Sequence, residues 1–67
     1  MEIAWKDIDE IAFQLYESCP DQDPLVLSFP DLLSRILALP GFTGERQYSN
    51  EARLEAIQMA WLAEYKE

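Results

Sequence analysis

Four prolines determine where helices can run in this 67-residue chain. Proline lacks an amide hydrogen and clashes with the preceding turn, so it is excluded from helix interiors but tolerated in a first turn. Pro20 and Pro24 enclose the acidic segment Asp21-Gln22-Asp23, which is therefore predicted to form a rigid corner. Pro40 is predicted to follow the end of a helix, whereas Pro30 suits the first turn of one.

The first helix is predicted to begin at an Asp7 N-cap, with Glu10 placed three positions on to complete a capping box. Trp5, just ahead of the cap, is expected to fold onto the core. The apolar residues that follow recur at i, i+3, i+4, i+7, i+8 and i+11, which is the spacing of one helix face. They are Ile8, Ile11, Ala12, Leu15, Tyr16 and Cys19.

The second helix is predicted to begin at a Ser28 N-cap and to end at Leu39-Pro40-Gly41. Its apolar face comprises Phe29, Leu32, Leu33, Ile36 and Leu37. The segment 25–27 ahead of it is short enough to form either one turn led by Pro24 or a brief extended piece. Residues 42–48 show no periodicity and are predicted to form a loop that Phe42 pins to the core.

The third helix is predicted to start at a Ser49 or Asn50 cap and to run nearly to the end of the chain. Leu54, Ile57, Trp61 and Tyr65 mark its expected buried stripe. Three helices and no convincing strand predict an all-α fold, a compact three-helix bundle. A chain of this length accommodates one domain, here residues 1–67.

The charge is strongly negative and concentrated towards the N-terminus. Thirteen Asp or Glu residues against five Lys or Arg residues give a net charge of −8. Residues 1–24 contain seven acids and one base, a net −6. Such a surface repels nucleic-acid phosphates, which disfavours DNA binding by a helix-turn-helix-like bundle. Basic proteins and cations are the expected partners.

The residue patterns that indicate catalysis or membrane insertion are missing from the sequence. It contains no His, one Cys and no glycine-rich phosphate loop, so the chain is not predicted to be an enzyme. Ser34 lacks the Asp-Ser-Leu motif of an acyl carrier. No apolar run approaches the length of a membrane span, and the lone Cys19 fits a reducing compartment. A cytoplasmic monomer is expected.

Glu10, Phe13 and Glu17 share the face of the first helix opposite the apolar stripe. One interpretation is a solvated acidic face with one exposed aromatic residue, which is common in small proteins. The alternative is a docking surface for a basic partner, with Phe13 as its apolar centre. The candidate partner-binding residues are Asp7, Glu10, Phe13, Glu17, Asp21 and Asp23.

Carboxylates near the acidic corner also suggest a weak cation site. Glu17, Asp21 and Asp23 could gather a hard metal ion through oxygen ligands. Their spacing differs from that of an EF-hand loop, and Asp residues between prolines commonly form turns. No cofactor is predicted to be required.

The ordered set of residues resembles the IscX family, small acidic proteins of bacterial iron-sulphur cluster assembly. The most specific segments are Pro20-Asp21-Gln22-Asp23-Pro24 and Ser49-Asn50-Glu51, the latter followed by Leu54-Glu55-Ala56-Ile57. The resemblance runs nearly end to end. The other residues that support it are Trp5, Asp7, Ile11, Leu15, Tyr16, Phe29, Asp31, Leu32, Leu39, Phe42, Trp61 and Glu64.

The resemblance implies a helical fold related to a winged helix. It also implies docking on a cysteine desulfurase through an acidic surface, contact with the cluster scaffold, and weak iron binding. Family members commonly carry His and Trp where this chain has Leu33 and Arg35, and several acids where it has Thr43-Gly44-Glu45-Arg46. This distribution of charge favours an adaptor or regulator over an iron site. The alternative is a general acidic interaction module for a different basic partner.

Overall fold

A computed structural model describes residues 2–67 and confirms the all-α prediction. Its three helices are α1 (Ile8–Ser18), α2 (Phe29–Leu37) and α3 (Glu51–Lys66). Single 3₁₀ turns at Pro24–Val26 and Arg46–Tyr48 lie in the two connections. Among the described residues, β structure is limited to one isolated bridge. None of the helices between residues 2 and 67 combines the length and the hydropathy that a membrane span requires.

The predicted capping box at the start of α1 is wrong. Asp7 occupies the N-cap position, but its side chain makes no capping bond to the helix. Instead, Asp7 Oδ2 accepts the Ala4 amide at 2.9 Å, and the Asp7 amide donates to the Ala4 carbonyl at 2.9 Å. The carboxylate therefore closes the turn that leads into α1. Because it bonds backwards to Ala4, it does not cap the first amides of the helix.

The side-chain caps predicted for the other two helices are confirmed. Ser28 Oγ accepts the Asp31 amide at 3.3 Å, and Asn50 Oδ1 accepts the Arg53 amide at 2.8 Å. Each bond satisfies an amide that has no partner within the helix. Asn50 is therefore the cap of α3, while the Ser49 hydroxyl donates backwards to the Arg46 carbonyl at 2.8 Å.

The bundle is built mainly from α1 packed against α3, with α2 and the Pro24–Val26 turn also against α3. The buried core contains Ile3, Trp5, Ile11, Ala12, Leu15, Leu32, Leu33, Ile36, Leu39, Leu54, Ile57 and Trp61. The predicted stripes of α1 and α2 are confirmed. On α3, Leu62 is buried, whereas Tyr65 is only half-buried and lies outside this core. The stripe predicted for α3 is thus confirmed at Leu54, Ile57 and Trp61, which are all buried, but not at Tyr65.

The N-terminal segment is held against the loop after α2. Ile3 exchanges backbone hydrogen bonds with Gly41 and Thr43, each at 2.8 Å, which forms the parallel bridge between Ile3 and Phe42. The Trp5 indole donates to the Glu45 carbonyl at 2.9 Å and packs edge-to-face on Phe42, with ring centroids 4.9 Å apart. The predicted pinning by Phe42 and the burial of Trp5 are thus confirmed, although the loop ends in a 3₁₀ turn.

Candidate functional site

The outward face of α1 presents an aromatic ring between two acids. Phe13 is 42% exposed, because Ile11, Ala12 and Leu15 occupy the buried side of the same helix. Glu17 is also exposed, one turn further along. Residues four apart on a helix lie on one face, so the predicted arrangement of Phe13 beside Glu17 is present.

The remaining acids of the predicted surface differ in how far the fold already uses them. Glu10 is half-buried and accepts a hydrogen bond from the Gln14 amide at 3.2 Å. Asp7 and Asp23 bind backbone amides, whereas Asp21 is exposed. Within residues 2–67 no charged side chain is buried, so the negative charge lies where an approaching partner would meet it.

The acidic corner after α1 is tied to α2 by Arg35. One guanidinium nitrogen lies 3.1 Å from Cys19 Sγ, and the other lies 3.5 Å from Gln22 Oε1. The backbone amide of Gln22 also donates a hydrogen bond to the Cys19 carbonyl at 3.1 Å. Sequence reasoning identified Cys19 only as the end of an apolar stripe; its contact with Arg35 depends on the packing of α2 against the corner.

The structure does not gather the proposed metal ligands. Among the described residues, no group of three Cys, Asp or Glu side chains is placed to hold a metal ion. Asp23 Oδ1 instead accepts the Leu25 amide at 2.9 Å, the forward turn bond expected of an Asp at this position. Weak iron binding by Glu17, Asp21 and Asp23 remains a prediction.

Two exposed apolar residues beside the acidic corner were not singled out from the sequence. Segment 25–27 adopts the first of its two predicted alternatives, a turn led by Pro24. Leu27 is half-buried against the core, but Leu25 is 56% exposed and Val26 is 73% exposed. The signal in the sequence was an apolar run directly after Asp23, in a segment too short to assign a conformation.

Comparisons with known proteins match this chain along almost its whole length. A family model described as iron-sulphur cluster assembly matches residues 3–66. A similar sequence is that of the uncharacterized protein PA3808 of Pseudomonas aeruginosa, which is 47% identical over 64 residues. That alignment covers 96% of this chain and 97% of the Pseudomonas protein.

Proposed function

The chain belongs to the IscX family of iron-sulphur cluster assembly proteins, and from this membership we propose that it is a non-catalytic adaptor or regulator that docks on a cysteine desulfurase. The proposed surface comprises Asp7, Glu10, Phe13, Glu17, Asp21 and Asp23. The cluster scaffold is a further proposed contact. We also propose that the protein acts as a cytoplasmic monomer and requires no cofactor.

The observation that carries the proposal is the exposed Phe13 beside the acidic residues of α1. An interface residue that contributes strongly to affinity is often an aromatic ring, surrounded by polar groups that exclude water from it. Phe13 and Glu17 supply such a pair on one turn of a helix. Because α1 packs on α3 along its other side, the pair is presented on a supported element.

The acids would act mainly on the rate of encounter. Residues 1–24 carry a net −6, so their field attracts a basic surface over distances of about a Debye length, roughly 8 Å at physiological salt. Charges at the rim of an interface change association rates and salt dependence more than they change dissociation. Docking on the desulfurase should therefore weaken as salt concentration rises.

Calorimetric titration into the desulfurase at low and high salt tests the proposal. We expect saturable binding at low salt and a higher Kd at high salt. The absence of binding at low salt, by calorimetry and by a second method such as light scattering, would reject docking on the desulfurase. It would favour the alternative of an acidic module for a different basic partner.

A matched pair of charge reversals locates the surface. The double variant Glu10→Lys with Glu17→Lys should slow association at low salt about 10-fold or more, because electrostatic steering changes association rates by about 10- to 1,000-fold. The control Glu55→Lys with Glu67→Lys alters two exposed acids at α3 and its C-terminal end, and reaches the same net charge. Equal slowing by both double variants would show that total charge, and not the α1 surface, controls association.

The proposal also includes weak iron binding at the acidic corner. Ferrous ion added to the labelled protein should perturb NMR signals around Asp21 and Asp23 first, and Asp21→Asn should reduce that perturbation. Magnesium at the same concentration is the control for non-specific screening. Uniform shifts, or shifts identical for both cations, would leave no specific iron site.

A further inference from the structure

We infer that Leu25 and Val26 form an apolar anchor beside Asp21 and Asp23 of the docking surface, and that this anchor inserts into an apolar pocket bordered by Lys or Arg on the partner. The inference rests on the proposed function, because the partner is the same cysteine desulfurase. It adds the kind of site on that partner that Leu25 and Val26 would contact. The helix face of α1 supplies the first contact in that proposal. The 3₁₀ turn Pro24–Val26 supplies a second.

The turn holds its two apolar side chains outward on a rigid support. Pro24 is fully buried, and its carbonyl accepts the Gln58 side-chain amide at 2.9 Å and the Leu27 backbone amide at 3.3 Å. Proline at the start of the turn also restricts the backbone. A segment already held in one conformation loses little conformational entropy on binding, so more of its contact energy appears as affinity.

The exposure of this pair exceeds that of the other apolar side chain proposed for docking. Val26 is 73% exposed and Leu25 is 56% exposed, compared with 42% for Phe13. A single exposed apolar residue needs no explanation. Here two adjacent apolar residues, Leu25 and Val26, lie on a turn held by hydrogen bonds to Pro24. Their burial by a partner would remove apolar surface from water without rearranging the backbone.

Charge beside the pair identifies the chemistry of the occupant. The Asp23 carboxylate lies at hydrogen-bond distance, 2.9 Å, from the Leu25 amide, and the exposed Asp21 lies two residues before it. An acidic border on one side of an apolar contact is complementary to an apolar pocket that has a basic border on that side. A second copy of this chain, with a net charge of −8, would bring like charges together at that border.

The anchor and the acids should affect different rate constants. Short-range apolar contacts form after encounter and mainly determine dissociation, whereas the acids act at long range on association. Removal of the anchor should therefore raise the dissociation rate constant, and leave the association rate constant and its salt dependence nearly unchanged. Charge reversal of the acids on α1 should lower the association rate constant and leave the dissociation rate constant nearly unchanged.

The test measures binding kinetics to the desulfurase by surface plasmon resonance for the wild type and three variants. The double variant Leu25→Ser with Val26→Ser removes the anchor, and Val26→Thr keeps the side-chain shape while replacing one methyl group with a hydroxyl. Met59→Ser is the matched control, because Met59 is 53% exposed on α3. We expect the double variant to raise Kd about 10- to 100-fold through faster dissociation, Val26→Thr to have a smaller effect in the same direction, and Met59→Ser to have none.

Each other outcome contradicts a distinct statement. Wild-type kinetics for both anchor variants, with far-UV circular dichroism showing that they are folded, would overturn the anchor and leave desulfurase docking intact. A wild type that fails to bind would overturn docking and the anchor together. Self-association of the wild type by sedimentation equilibrium, lost in the double variant, would assign the turn to a second copy and overturn the proposed partner.

Discussion

Adding one methyl group at Gly44 tests how tightly the aromatic residues around it are packed. A Cβ atom built at this position would lie 2.6 Å from Phe42 Cζ and 2.7 Å from both Cδ1 and Nε1 of Trp5. Ordinary contact begins near 3.4 Å, so the two rings would have to move away by about 0.7 to 0.8 Å. The Trp5 ring cannot do so by a simple rotamer change, because it is buried and its indole nitrogen donates a hydrogen bond to the Glu45 carbonyl.

We therefore expect Gly44→Ala to destabilise the fold by about 2 kcal/mol. Overpacking costs about 1 to 3 kcal/mol, and loss of the hydrogen bond from Trp5 to Glu45 adds about 1 kcal/mol where it breaks. For a chain of this size, 2 kcal/mol corresponds to a fall in Tm of about 8 to 16 °C. Thermal and urea unfolding followed by circular dichroism measure the change.

Two readouts separate the steric cause from a general loss of stability. The indole N–H resonance of Trp5 should move in Gly44→Ala, while that of the buried Trp61 should not, since the three heavy atoms nearest to the added Cβ belong to Phe42 and Trp5. Gly41→Ala is the control: Gly41 has a φ of 82°, so it should also destabilise but leave the Trp5 resonance in place. A Tm for Gly44→Ala within 2 °C of wild type, with an unmoved Trp5 resonance, would refute the reasoning.

Two further predictions concern the elements that support the proposed surface. Asn50→Ala removes the cap of α3 and should cost about 0.5 to 2 kcal/mol in urea unfolding, whereas Asn50→Asp, which keeps the acceptor, should cost less; equal losses would contradict the capping bond. Gln58→Ala removes the bond to the Pro24 carbonyl and should cost about 0.5 to 1.5 kcal/mol and accelerate amide exchange at Leu27, while exchange within α1 is unchanged. Unaltered exchange at Leu27 would show that the turn does not depend on that bond.

Local sequence signals predicted the elements correctly where one interaction governs the outcome. Pro20 and Pro24 exclude helix between them, and Ser28 caps α2 as expected. Local sequence signals failed where one side chain can form either of two local hydrogen bonds. The Asp7 carboxylate could bond forwards or backwards, and it bonds backwards to Ala4.

The candidate site likewise contains residues whose exposure local spacing predicts and residues whose exposure it does not predict. The position of Phe13 opposite the apolar stripe of α1 follows from helical spacing, and its exposure confirms that reasoning. The exposure of Leu25 and Val26 could not be predicted in this way. It depends on the burial of Pro24 against the bundle and on the bond from Gln58, 34 residues away.

The amino-acid sequence alone predicts three helices, their approximate ends and the concentration of negative charge in residues 1–24. These properties depend on neighbours within a few positions, or on composition alone. Three other features appear only in the folded chain: Gly44 has no room for a side chain, Arg35 contacts Cys19, and Leu25 and Val26 are exposed. Each of these depends on which surfaces meet when α1, α2 and α3 pack, and segments distant in sequence meet only in the folded chain.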